Sequence, residues 1–108
     1  MIKHKGFHVL PTEIEAVLKS HPAVTDAAVI GVPDTVAGEV PRAFIVRKLC
    51  SKVDAQEVVK FVRERVSDEQ RLRGWVKFID KIPRHANGEI LREVLTERAR
   101  SERLNARL

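Results

Sequence analysis

The chain has 108 residues, of which 44% are hydrophobic and 32% are charged, and its formal net charge is +5. This length allows one domain with a modest core, and no apolar run approaches the roughly 18 residues that a transmembrane helix needs. The basic surplus could favour nucleic acid, but cations and anions alternate along the predicted helices, as in Glu64-Arg65 and Arg92-Glu93. That pattern is typical of a solvated surface, so we expect no nucleic-acid partner and no membrane span.

The single cysteine, Cys50, excludes a disulfide within the chain and favours a reducing compartment. No Cys/His pairing is visible near it, which favours a small filler at a strand end over a nucleophile. We expect no metal site in the chain. Residues 1–5 carry no signal-peptide pattern and belong to sequence that is already typical of a folded domain.

The first part of the chain predicts a hairpin followed by a helix. Residues 2–9 form two short strands that turn at Gly6. The helix is expected to start at Pro11, where Thr12 and Glu15 make a Thr-x-x-Glu capping box. Its buried stripe consists of Ile14, Val17 and Leu18.

The middle of the chain predicts two strands. His21-Pro22 ends the first helix, and the first of these strands covers residues 24–30. A loop rich in Gly and Pro is expected over residues 31–41, and it leads to a strongly apolar strand at residues 43–46.

The last half predicts a helix, a strand and a final helix. Asp54 and Glu57 cap the second helix, and a strand covers residues 75–79. The final helix begins near Ile90 and ends in a very polar tail over residues 98–108. The apolar stripes of the two helices are Val58, Val59, Phe61 and Val62, and Ile90, Leu91, Val94 and Leu95.

These elements predict an α+β domain: a small, mainly antiparallel sheet covered by helices and preceded by a short two-stranded hairpin.

Several ordered blocks of the chain resemble the C-terminal domain of the adenylate-forming enzymes, which include acyl-CoA synthetases, 4-coumarate-CoA ligases and beetle luciferases. Residues 2–15 resemble the family motif Ile-Lys-x-x-Gly-x-x-Val-x-Pro-x-Glu-Ile-Glu, and residues 83–90 resemble Pro-(Lys/Arg)-x-x-x-Gly-Lys-(Ile/Leu). The blocks between them are residues 21–34, 38–46 and 71–74.

The resemblance implies that residues 1–108 are the mobile C-terminal lid of such an enzyme, without its large N-terminal domain. It implies ATP or AMP and CoA as ligands of the full-length enzyme, with magnesium held by the N-terminal domain, and no cofactor in the isolated lid. The partners would be that N-terminal domain and, at the domain interface, CoA and the acyl-adenylate. Apolar side chains that the N-terminal domain normally covers could drive self-association. By itself the lid should catalyse nothing, and the acyl pocket lies in the absent domain.

The same resemblance assigns roles to the first hairpin. Lys3 matches a lysine that faces the active site during acyl transfer and contacts the acyl-adenylate, and His8 stands where 4-coumarate-CoA ligases commonly carry Gln near the nucleotide. Lys5 and Gly6 match the stretch that lines the CoA tunnel. The alternatives are a solvent-facing lysine at Lys3 and an ordinary surface strand residue at His8.

Glu89 departs from the family pattern. It occupies the position of the catalytic Lys that contacts the acyl phosphate, and a carboxylate there repels with about 1 kcal/mol even when solvated. Alternatively, Glu89 is a helix-start residue favoured by the helix dipole and paired with Arg92 one turn later. The nearby cations are Lys81, Arg84 and His85.

The last three residues, Ala106-Arg107-Leu108, resemble the peroxisomal address Ser-Lys-Leu. They predict a peroxisomal protein; without such an address a cytoplasmic one is expected. The rival to an acyl-CoA synthetase lid is a non-catalytic pseudoenzyme fragment that acts as a binding or dimerising module, which Glu89 favours.

Overall fold

A computed structural model describes the backbone of residues 2–106 and the side chains of residues 2–102. The strands are β1 (Ile2–His4), β2 (Phe7–Val9), β3 (Val24–Asp34), β4 (Gly38–Arg47) and β5 (Val76–Phe78). The helices are α1 (Pro11–Lys19), α2 (Ala55–Arg63) and α3 (Arg92–Ala106), and a 3-10 turn spans Asp68–Gln70.

The strands form one sheet in the order β2-β1-β4-β3, and β5 pairs in parallel with β4. The long antiparallel β3–β4 hairpin is the centre of the sheet, and β1 joins β4 at the pair His4↔Gly38. The predicted α+β class with a mainly antiparallel sheet is confirmed. The opening hairpin is the far edge of this sheet.

Helices cover both faces of the sheet. Consecutive β3 residues point to opposite sides, so each face of this strand contributes to a different core cluster. Ala27 and Val29 belong to the core cluster beneath α1 and α2, whereas Ala28 and Ile30 belong to the cluster beneath α3. This burial on two sides explains why β3 and β4 are apolar at consecutive positions instead of alternating.

The prediction of a loop over residues 31–41 is wrong, because β3 and β4 extend into this segment. The turn between β3 and β4 is restricted to residues 35–37, where the Asp34 carboxylate accepts the amides of Val36 at 3.1 Å and Ala37 at 2.8 Å. Gly and Pro within the segment are compatible with strand because cross-strand pairing continues through Gly31↔Pro41. Long-range pairing outweighs local propensity here.

The capping box predicted for α1 is also wrong. The helix starts at Pro11 with Leu10 as N-cap, and no side-chain cap bond forms there. Proline at the first helical position needs no amide partner, so Thr12 already lies inside the helix. In α2 the predicted cap is confirmed, since the Asp54 side chain accepts the Glu57 amide at 2.9 Å.

The final helix starts later and runs further than the stripe predicts. It begins at Arg92 and continues to Ala106 through the segment expected to be a polar tail. Leu95 and Ala99, one turn apart, are buried against the sheet, whereas Val94 is exposed. No helix in residues 2–106 combines the length and the apolarity that crossing a bilayer requires.

Candidate functional site

The residues expected to serve acyl transfer all lie on the β1–β2 hairpin. Lys3 and His8 are directly opposite each other in the strand pair, so their exposed side chains share one face. Lys5 and Gly6 form the turn, with φ of 50° and 84°. Space around Gly6 is open, so its left-handed backbone is what favours glycine at this position.

The buried Ile2 and Val9 anchor this hairpin in the core, and hydrogen bonds fix its exposed side. The Lys3 amide donates to the Glu39 carboxylate at 3.1 Å, and the Lys5 amide donates to the Ala37 carbonyl at 2.8 Å. The buried His4 ring places Nδ1 3.3 Å from the Glu39 carbonyl, while its Nε2 has no partner among the described residues. Glu39 and His4 therefore hold Lys3 in place.

Sequence analysis missed both of these residues. The signal for His4 was its alternation with the buried Ile2, which places a polar ring on the core side of the strand.

Acidic groups near the turn are held in the charged form. The pKa of Asp34 lies below its ordinary value mainly because the amides of Ala37 and Val36 donate to it, with smaller contributions from His4 and Lys5. The pKa of Asp68 is also lowered, chiefly by a hydrogen bond from Arg73, with a further contribution from Lys5. The Lys5 turn thus lies near two ionised carboxylates.

Glu89 lies in a tight, exposed loop after β5. The loop closes with the strand-like pair Arg84↔Ile90, and the His85 amide donates to the Glu89 carbonyl at 2.8 Å. Gly88 has a φ of 92°, and the Glu89 amide donates to the Asn87 side chain at 3.1 Å. These bonds fix the backbone at the tip and leave the Glu89 carboxylate facing solvent.

Arg84 ties this loop to strand β3. Its Nη2 donates to Asp26 Oδ1 at 2.7 Å, and its Nη1 donates to the Gly88 carbonyl at 2.7 Å. Partial burial pushes the pKa of Asp26 upward, but hydrogen bonds from Arg84 and the Ala27 amide outweigh it, so this pKa is lowered. The guanidinium of Arg84 is therefore fully engaged by Asp26 and Gly88.

Arg92 contacts Glu15 of α1, so the expected pairing with Glu89 is wrong. Arg92 Nη1 donates to Glu15 Oε2 at 2.6 Å and to the Val29 carbonyl at 2.7 Å. The interpretation of Glu89 as a helix-start residue is wrong too, because α3 begins at Arg92. The partners are 77 positions apart, which no local spacing rule could indicate.

The two groups of candidate residues occupy opposite edges of the sheet. The Lys3 hairpin is the β2 edge, whereas the Glu89 loop is anchored to the other edge, β3. The exposed side chains of Lys81 and His85 make no hydrogen bond or ion pair with the described residues.

No cluster of metal-ligating side chains occurs in the part of the chain that the structure describes. Of the C-terminal tripeptide, Ala106 ends α3, and Arg107 and Leu108 lie outside the described residues.

Comparison with known proteins covers most of the chain. The family profile of the AMP-binding enzyme C-terminal domain matches residues 13–89. The 4-coumarate–CoA ligase-like 9 protein of Oryza sativa subsp. japonica is 50% identical over 90% of this chain and 17% of its own length. Peroxisomal OPC-8:0-CoA ligase 1 of Arabidopsis thaliana is 43% identical over 94% of this chain and 18% of its own length. The chain therefore spans about a fifth of the length of these relatives.

The solved Mycobacterium tuberculosis fatty acyl CoA synthetase has the same fold in the matching region. It superimposes with a TM-score of 0.81 at 37% identity, over 91% of this chain and 19% of that one.

Proposed function

Because the chain belongs to the AMP-binding enzyme C-terminal domain family, we propose that it is the mobile lid of an acyl-CoA synthetase similar to 4-coumarate-CoA ligases. The complete enzyme activates a carboxylic acid with ATP and passes the acyl group to CoA. The observation that carries this proposal is the placement of Lys3 and Glu89 on opposite edges of one sheet. A rotating lid can present one edge for each half-reaction.

The Lys3 edge serves acyl transfer. The ammonium group of Lys3 stabilises the phosphate and the oxyanion as the CoA thiolate attacks the acyl-adenylate. His8, directly opposite, donates a hydrogen bond toward the nucleotide, and the Lys5-Gly6 turn borders the CoA chain. Hydrogen bonds from the Lys3 amide and the His4 ring to Glu39 fix the backbone of this edge.

The Glu89 edge serves adenylation, and it does so poorly. The loop brings an exposed carboxylate to the acyl phosphate, where the family has a cation. The guanidinium of Arg84, in the same loop as Glu89, is neutralised by Asp26. ATP and its magnesium are bound by the N-terminal domain, so the lid alone binds little and catalyses nothing.

The C-terminal tripeptide directs the protein to peroxisomes. Support comes from its basic residue and terminal Leu and from the peroxisomal name of the Arabidopsis relative.

A pseudoenzyme that acts as a binding or dimerising module is the second candidate, because Glu89 removes the cation that adenylation uses. Exposed apolar side chains are available for such contacts: Phe7, Leu10, Val36, Leu49, Trp75 and Val94.

The experiment grafts the chain in place of the matching segment of the rice relative and measures two reactions separately. One is pyrophosphate release with 4-coumarate and ATP, and the other is acyl-CoA formation from supplied acyl-adenylate. Glu89→Lys should raise adenylation about a hundredfold and change acyl transfer little. Lys3→Ala should lower acyl transfer and spare adenylation. Glu64→Lys and Lys52→Ala, also at exposed positions, are the matched controls.

Fast adenylation by the graft with Glu89, unchanged by Glu89→Lys, would overturn the role assigned to this position. If neither half-reaction is detectable in either graft while the intact relative is active, the pseudoenzyme proposal is favoured. Sedimentation of the chain across concentrations then tests whether it dimerises.

A further inference from the structure

The outer edge of β3 is an open strand edge that two arginines cover. In the order β2-β1-β4-β3, strand β3 has β4 on one side and no strand on the other within the described chain. Such an edge presents backbone amides and carbonyls that must find partners. Here the backbone partners are the carboxylates of Glu15 and Asp26 and the guanidinium of Arg92, and an arginine pairs with each carboxylate.

The first cover is the ion pair between the buried Glu15 and the partly exposed Arg92, which lies at Val29. The Val29 amide donates to Glu15 Oε2 at 2.8 Å, and the Val29 carbonyl accepts from Arg92 Nη1 at 2.7 Å. Arg92 also contacts both Glu15 oxygens, at 2.6 and 3.2 Å. Glu15 is only 6% exposed, so losing Arg92 would leave a buried carboxylate uncompensated. This pair therefore fixes the residue at which the loop ends.

The second cover is at the loop entry. Arg84 forms a forked pair with Asp26 of β3, with Nη2 at 2.7 and 2.9 Å from the two carboxylate oxygens. The same guanidinium donates through Nη1 to the Gly88 carbonyl, immediately before Glu89. Arg84 thus joins the tip of the loop directly to the sheet. The planar guanidinium of arginine has several donors and can hold both partners at once, whereas the single ammonium of lysine cannot.

We propose that Arg84 and Arg92 are positioning residues that suspend the Glu89 loop from the edge of β3, with Arg84 setting the place of the tip. The inference rests on the proposed function, since the residue so placed is the one that meets the acyl phosphate. A side chain that acts by charge at close range loses much of its effect when it is misplaced by about 1 Å. With a lysine at position 89, removing Arg84 should therefore impair adenylation while leaving the opposite edge untouched.

The first arm of the test uses the chain itself and does not depend on the function. In Arg84→Met, ¹⁵N relaxation should show lower order parameters at His85, Gly88 and Glu89, from about 0.85 toward 0.6. Amides of β4 should not change. Asp26→Asn should loosen the loop in the same way, and Arg100→Met, which breaks an exposed ion pair elsewhere on α3, should not. Unchanged relaxation in Arg84→Met and Asp26→Asn would overturn the suspension of the loop.

The second arm uses the rice graft carrying Glu89→Lys. Adding Arg84→Met should lower adenylation at least tenfold with acyl transfer unchanged. Arg84→Lys, which keeps the charge but cannot reach Asp26 and Gly88 together, should fall between, and Arg100→Met should have no effect. If Glu89→Lys raises adenylation and Arg84→Met does not lower it, the positioning role is wrong and the function stands. If Glu89→Lys has no effect, the function fails, and the relaxation arm alone decides whether the loop is suspended.

Discussion

The charge of Glu89 is the single-residue property on which the proposed function depends most. Its backbone is fixed by the Asn87 side chain and by His85, so the point from which the exposed side chain extends is defined. The fixed cations on either side of it, Arg84 and Arg92, are engaged by Asp26 and Glu15. Within the described chain the tip therefore carries a negative charge that no adjacent ion pair cancels.

Trp75 adopts a backbone conformation that disfavours its own residue type. Its φ is 74°, in the left-handed region, where any Cβ costs about 1 kcal/mol or more. We expect Trp75→Gly to be more stable than Trp75→Ala by about 1 kcal/mol, because both lose the ring and only alanine keeps the strain. Urea unfolding followed by circular dichroism measures the difference.

The control for Trp75 is the same pair of substitutions at Lys60. This exposed residue lies inside α2, where alanine should be more stable than glycine by about 1 kcal/mol. Alanine ahead of glycine at both positions would show that Trp75 is unstrained in solution.

Two helices of this chain start in different ways, and the difference can be measured. Asp54 caps α2 by accepting the Glu57 amide, so Asp54→Ala should lower the free energy of unfolding by about 1 kcal/mol, and Asp54→Ser should restore most of it. In α1 the side chain of Thr12 makes no cap, so Thr12→Ala should change stability by less than about 0.5 kcal/mol.

Equal losses for Asp54→Ala and Thr12→Ala would mean that α1 starts at the capping box that its sequence suggests. We expect unequal losses because Glu15, the acidic residue of the Thr12–Glu15 capping box, is engaged elsewhere. Its carboxylate is buried against Val29 and Arg92 and cannot also reach back to the first turn.

At the scale of the whole molecule, the two edges of the sheet carry different chemical groups. The proposed lid would need such a difference, because each half-reaction would use one edge. The β1–β2 edge carries lysines and is joined to β4 at the single residue pair His4↔Gly38. At the opposite edge, the Glu89 loop is held next to β3 by two ion pairs, Arg84–Asp26 and Arg92–Glu15. The first edge is also anchored by the buried Ile2 and Val9, while Glu39 and His4 fix the backbone beside Lys3.

The address of the whole protein can be tested apart from its chemistry. Fusing Ala106-Arg107-Leu108 to the C-terminus of a fluorescent protein should direct it to peroxisomes, because the receptor reads a basic side chain beside a terminal Leu. Arg107→Glu should abolish the effect. A diffuse cytosolic signal from the unaltered tail would contradict the proposed localisation.

Much of this protein could be predicted from local pattern alone. Alternating and helical periodicities indicated the strands and helices of the α+β fold, and Asp54 was recognisable as a cap because its partner lies three residues away. The motifs around Lys3 and Glu89 indicated the family, and the family profile confirms it. Local signals suffice wherever the interacting groups are neighbours in the chain.

The tertiary structure decided the features whose partners are distant in sequence. Gly31 and Pro41 resemble loop residues until β3 and β4 pair across them, and α3 continues beyond residue 98 because Leu95 and Ala99 are buried against the sheet. Arg92 had an acidic neighbour three residues before it, yet it pairs with Glu15. The open edge of β3 requires hydrogen-bond partners, and only the folded chain brings Glu15 and Arg92 to it from opposite faces of the sheet.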